Sequence, residues 1–151
     1  MLDYNYYSGL GIVGEVLPQQ KNEVKLHASE KDQYGLPIPH VCFSFHENDK
    51  KIVEHARAKM KEILGAAGGE ELWTAERTAH ILGTCRMGTD AKNSVVNRDC
   101  RSHDISNLFV CDGSVFPTST AVNPSLTIQA IAARTANRIA DLAQTGDVKI
   151  G

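Results

Sequence analysis

The sequence contains no glycine-rich phosphate loop. Neither GxGxxG nor a Walker loop occurs, and GxSxG and HExxH are missing as well, so no complete cofactor or hydrolase fingerprint is present. It also lacks an excess of either charge. Lys and Arg number 16 against 18 Asp and Glu, a formal net charge of −2, which removes the electrostatic case for nucleic acid or an acidic membrane surface. No apolar run approaches the roughly 18 residues of a transmembrane span. MLDYNYYSGLG has no basic stretch followed by an apolar one, so no signal peptide is expected. Four cysteines (Cys42, Cys85, Cys100, Cys111) show no CxxC spacing and no paired-histidine motif. That argues against a metal site and against a disulfide scaffold; they read as reduced, mostly buried thiols. What remains is an ordinary globular composition: 151 residues, 42% hydrophobic and 23% charged.

The chain changes character near residue 70. Before it, Val24, Leu26 and Ala28 alternate with polar residues, predicting a half-exposed strand, and Val41, Phe43 and Phe45 predict a second. Between them DQYGLPIPH, with one Gly and two Pro, reads as a turn or connection. From Asn48 or Asp49 to about Ala66, the spacing of Ile52, Val53, Ala56, Met60, Ile63 and Leu64 predicts an amphipathic helix stopped by Gly65 and Gly68-Gly69. After Trp73, Asn107 to Cys111 is a short apolar run ending on Asp-Gly, the pattern of a buried strand. Asn123-Pro124 predicts a helix start with Asn as N-cap and Pro at the first helical position. Leu126, Ile128, Ile131, Ala132, Ala136, Ile139 and Leu142 give that helix an apolar stripe, with Arg134, Arg138 and Asp141 outward.

Three features can carry chemistry. His80 stands before Gly83-Thr84-Cys85-Arg86-Met87-Gly88, whose glycines allow close backbone approach to a ligand. Histidine is the side chain suited to proton transfer near neutral pH, although a lone histidine is more often structural. Asp112-Gly113 follows the apolar run. It is either a plain strand-to-turn junction or a carboxylate with free amides at the ligand-binding edge of a sheet. Asn123 is an N-cap in any case. The helix end it marks carries partial positive charge, which favours negative charge on a bound group, and its amide can donate to a substrate oxygen.

Together these residues resemble the glucose-methanol-choline (GMC) family of FAD-dependent oxidoreductases, and its gluconate 2-dehydrogenase-like flavoprotein branch in particular. The resemblance rests on His80 with Gly83 to Gly88, Ser94-Val95-Val96, Leu108 with Val110, Asp112 to Thr118, Asn123-Pro124 and Thr127 to Ala130. It is specific over residues 78 to 141 and weaker before them. It implies FAD as cofactor and oxidation of a CH–OH group of an alcohol or sugar, with hydride passing to flavin N5. On this resemblance His80 is the base and Asn123 its partner on the substrate oxygen, while Asp112, Gly113, Asn123, Pro124 and Thr127 line the flavin. The implied fold is α+β: part of a substrate-domain antiparallel sheet over residues 1–72, then the C-terminal strand and helix of an FAD-binding α/β domain over 73–151.

There are two departures. Asn97 stands where the family has Asp, which bears on local loop structure. The GxGxxG unit that seats the ADP half of FAD has no counterpart, so the chain is expected to bind FAD weakly or not at all and to need the missing N-terminal portion as partner. An electron-acceptor subunit is a further expected partner. A non-catalytic interaction or small-molecule-binding domain with the same fold is the alternative.

Overall fold

Alternation in the first half produces a strand, β1 (Glu23–Lys31), paired antiparallel with β2 (Pro37–Cys42). The computed structural model describes residues 4–76, 78–119 and 121–148. Val24 lies opposite Val41 and Leu26 opposite Pro39, with an irregularity in register between Leu26 and Lys31. The reversal is tighter than DQYGLPIPH suggested. Asp32 Oδ1 accepts from the amides of Tyr34 and Leu36 at 2.8 and 2.9 Å, and Gly35 takes the left-handed conformation (φ 83°) that this turn needs. Pro37 and Pro39 therefore belong to β2. A strand with one unpaired side tolerates proline's missing N–H there.

Phe43 and Phe45, expected in the second strand, lie beyond its end. The backbone of Ser44 is taken up by side chains instead. Asn22 Oδ1 accepts from its N–H at 2.9 Å, and Gln19 Nε2 and Asn22 Nδ2 donate to its carbonyl at 2.7 and 3.0 Å. With those groups engaged, the ladder stops and the chain turns into helix α1 (Glu47–Ala66). The expected half-exposed strand is exposed almost throughout, only His27 of β1 being half-buried.

Helix α1 begins with a reciprocal cap. His46 accepts from the Asn48 amide at 3.1 Å, and buried Asp49 accepts from the His46 amide at 2.8 Å. Its Ile52–Ala56–Met60–Leu64 row is turned inward, while Val53 and Ile63 face out. The helix runs through Gly65, and left-handed Gly68 (φ 84°) follows its end.

The second half departs from the expectation of a buried strand. Among the described residues Asn107 to Cys111 form no strand; Phe109 makes one isolated antiparallel bridge, to Arg101. A strand exists only where a neighbour supplies a ladder, and here the neighbours are short loops. Val110 donates to Cys100 O at 2.9 Å, Ser102 to Leu108 O at 2.9 Å, and Gly88 to Val96 O at 2.9 Å. These loops enclose Val96, Cys100 and Val115, with Met87, Val110, Cys111, Phe116 and Ile131 packed around them. All four cysteines are free thiols; Cys100 is buried and the other three are half-buried.

The last helix, α2 (Ser125–Thr145), begins one residue later than expected, with Pro124 rather than Asn123 at the cap position and no side-chain capping bond. Its inward row is Ile128, Ile131, Ala132, Thr135, Ile139 and Leu142, whereas Leu126 and Ala136 from the expected stripe face out. Thr135 is buried and its hydroxyl has no hydrogen-bond partner among the described residues. Arg134 and Arg138 are exposed as expected, yet engaged: both reach Asp99, at 3.0 and 3.4 Å. The helix ends on left-handed Gly146 (φ 80°). Among the described residues no helix is long and apolar enough to cross a membrane.

Candidate active site

The segment after His80 is held by a row of main-chain bonds. The amides of Gly83, Cys85 and Met87 donate to the carbonyls of Gly113, Ser114 and Val115 at 3.3, 2.9 and 2.8 Å. Every second residue of a segment that itself turns at Thr84-Cys85 meets successive residues of a tight turn. The geometry works because Gly113–Val115 is a single 3-10 turn, which presents three carbonyls close together. Asp112 makes that turn: its Oδ1 accepts from Ser114 N–H at 2.8 Å. Hydrogen bonding from the Ser114 side chain and then from its backbone N–H holds the Asp112 carboxyl below its ordinary value.

Gly113 is where the motif segments meet. A methyl group there would lie 2.7 Å from Leu82 Cδ2 and 3.3 Å from Ile128 Cδ1. The His80 segment, the Asp112 turn and the first turn of α2 therefore touch at one residue. The space above Gly113 is filled by Leu82, so close chain packing accounts for this glycine. Gly88 is similar: a methyl there would come within 2.8 Å of Ser94 Cβ. His80 is exposed and sits in the left-handed backbone region (φ 59°), which few non-glycine residues adopt.

At the start of α2, Asn123 and Thr127 are exposed and Pro124 is buried. The first helical bond runs from Ile128 N–H to Pro124 O at 2.9 Å. The amides of Ser125, Leu126 and Thr127 precede it, and among the described residues no side chain caps them. This donor set fits a group bearing negative charge. The fit at Asp112 is narrower, since one carboxylate oxygen is committed to Ser114.

Sequence reasoning missed what Asn97 does. Its Oδ1 accepts from the amides of Asp99 and Arg101 at 2.9 and 3.1 Å, work an aspartate would do equally well, so the departure leaves the loop intact. The signal was there in Asn97's aptitude for turns. Less legible was the pairing of Ser94 with His103, whose Nε2 lies 3.0 Å from Ser94 Oγ. Ser94 donates its proton to Asp90 O at 2.6 Å, so His103 must be the donor to Ser94. The pair anchors the loop and leaves no activated nucleophile. Among the described residues no group of three His, Cys, Asp or Glu is placed to hold a metal.

A His-bearing segment, a capped Asp-Gly turn and an open helix start thus meet around Gly113. The sequence profile of GMC oxidoreductases matches residues 18–132. The chain is 38% identical over 131 residues to 2-methyl-1,2-propanediol dehydrogenase of Mycolicibacterium austroafricanum, covering 83% of this chain and 24% of that protein. It is 38% identical over 128 residues to the fructose dehydrogenase large subunit of Gluconobacter japonicus, with the same shares covered. Similarity to the gluconate 2-dehydrogenase flavoprotein of Pantoea cypripedii is 29% over 140 residues, 85% of this chain and 23% of that one. The chain belongs to the GMC oxidoreductase family and corresponds to its C-terminal portion. It spans about a quarter of the length of these curated relatives.

Proposed function

We propose that this chain is the proton-transfer portion of an FAD-dependent enzyme that oxidises the CH–OH group of an alcohol or sugar. The observation that carries the reading is the meeting of Leu82, Gly113 and Ile128, which brings the His80 segment and the start of α2 to the same turn. Bound flavin supplies a two-electron acceptor for the substrate's hydride. His80, exposed at the end of its segment, takes the hydroxyl proton through its imidazole. Asn123 donates its amide N–H to the substrate oxygen and holds it as the C–O bond gains double-bond character. The uncapped amides before Ile128, with Pro124 and Thr127 beside them, stabilise negative charge on the flavin ring. Asp112 uses its second oxygen toward the cofactor's hydroxyl groups, and Gly113 keeps the turn close to α2.

In this reading residues 1–72 belong to a substrate domain and 73–151 to a flavin domain, completed by an N-terminal portion. Ile81 and Leu126, 88% and 80% exposed, support such a contact. Electrons then leave to a separate acceptor subunit, a reading supported by the relative whose name makes it one subunit of an enzyme.

The test is a chimaera in which residues 18–132 replace the matching segment of the propanediol dehydrogenase. His80→Asn is expected to lower turnover by roughly 10²–10⁴-fold with the yellow flavin still bound. Near-normal turnover in that variant overturns the assignment of the base. The chain alone is expected to purify colourless, and stoichiometric tightly bound flavin would contradict the need for the missing portion.

A further inference from the structure

A cleft of about 300 Å³ lies between the residues leading into β1 and the loops after Gly83, lined in part by Gln20, Thr84, Arg86, Lys92 and Ser94. Neither Asp112, Gly113 nor any residue of α2 lines it, but Gly83 does, so it adjoins the site above through the His80 segment while its cations lie outside that site. Its chemistry is cationic. The Arg86 guanidinium is fixed by one bond, Nε to Asn93 O at 2.6 Å, and among the described residues its terminal nitrogens donate to nothing. The Lys92 ammonium likewise has no ion-pair partner among the described residues. The one carboxylate on the lining, Glu23, is engaged by Lys25 at 2.7 Å. Gln20 and Thr84 add neutral donors at the wall.

A guanidinium anchored through Nε presents its two outer N–H edges in a fixed plane, the geometry suited to two oxygens of one anion. Lys92 adds a second, movable charge. We propose that this cleft is an oxyanion subsite that takes the phosphate or carboxylate group of a small molecule between Arg86 and Lys92. Carbon-bound hydroxyls of the same ligand fit Gln20 and Thr84. Val24 and Val95 add apolar side chains to the lining.

The test is an amide-resolved NMR titration of the intact chain with inorganic phosphate and, separately, acetate, each at constant ionic strength. Saturable shifts at Thr84, Arg86 and Asn93 to Val95 are expected with at least one anion; response to phosphate alone assigns a tetrahedral group and response to acetate alone a planar one. Arg86→Gln and Lys92→Gln are each expected to weaken binding about tenfold, while Arg134→Gln on α2 leaves it unchanged. Exposed Lys92 keeps the test decisive should Arg86→Gln fail to fold. Linear, unsaturated shifts with both anions overturn the proposal, as does equal weakening by Arg134→Gln.

Discussion

Residues 4–76 and 78–148 divide regularity and burial between them. The first region holds β1, β2 and the 20-residue helix α1, yet among its described residues only Asp49 and Ala56 are buried. The second has one long helix and otherwise irregular backbone, yet it contains Val96, Cys100, Val115, Thr135 and Leu142. Regular hydrogen bonding does not need a core, and a core does not need strands. Loops suffice when each buried amide finds a carbonyl, as Gly88, Val95, Asn97 and Val110 do. The motif residues lie in the region of irregular backbone, where fixed loops can set side chains at angles that helices and strands cannot.

The largest effect should come from placing charge in the loop-built core. Val96→Asp, at a fully buried position, is expected to cost more than about 4 kcal/mol and abolish the cooperative unfolding of the second region. Leu26→Asp, at 72% exposure in β1, should move the denaturant midpoint little. Equal losses would erase the distinction between the regions. A smaller effect tests the first region at its best-buried polar group. Asp49 accepts from the amides of His46 and Leu17, at 2.8 and 3.3 Å, so Asp49→Ala should cost about 1–3 kcal/mol, read by chemical denaturation with loss of helical signal.

The smallest effect concerns acid. The Asp112 carboxyl is held below its ordinary value of 3.8 by its bonds from Ser114, so it contributes stability above that value, and the contribution is lost as pH falls through the lower folded value. Asp112→Asn should flatten this part of the acid limb in urea midpoints measured between about pH 2 and 5. An unchanged limb would show that the turn does not depend on the charge.

Both helices were legible in the sequence because an amphipathic period survives whatever the helix packs on. The α1 boundary was nearly right, and α2 missed by one residue because Asn-Pro supports either cap register. The strand expected at Asn107 to Cys111 was not legible, since an apolar run says nothing about whether a neighbouring ladder exists. Gly113 shows the same limit at the site. After Asp112 it reads either as a plain junction or as a ligand-binding edge, and nothing in the local sequence shows that Leu82, thirty-one positions away, packs against it. Asn97 was the opposite case: the departure from the family pattern was visible, and its harmlessness follows from an amide oxygen accepting as a carboxylate does.

The left-handed backbone at His80 has a consequence for anyone who edits this position. Asparagine, aspartate and glycine tolerate that conformation, whereas alanine resists it and β-branched residues resist it more. An alanine scan here removes an imidazole and strains the backbone in the same stroke. Only a replacement at ease with the same twist separates the loss of a proton acceptor from the loss of a shape.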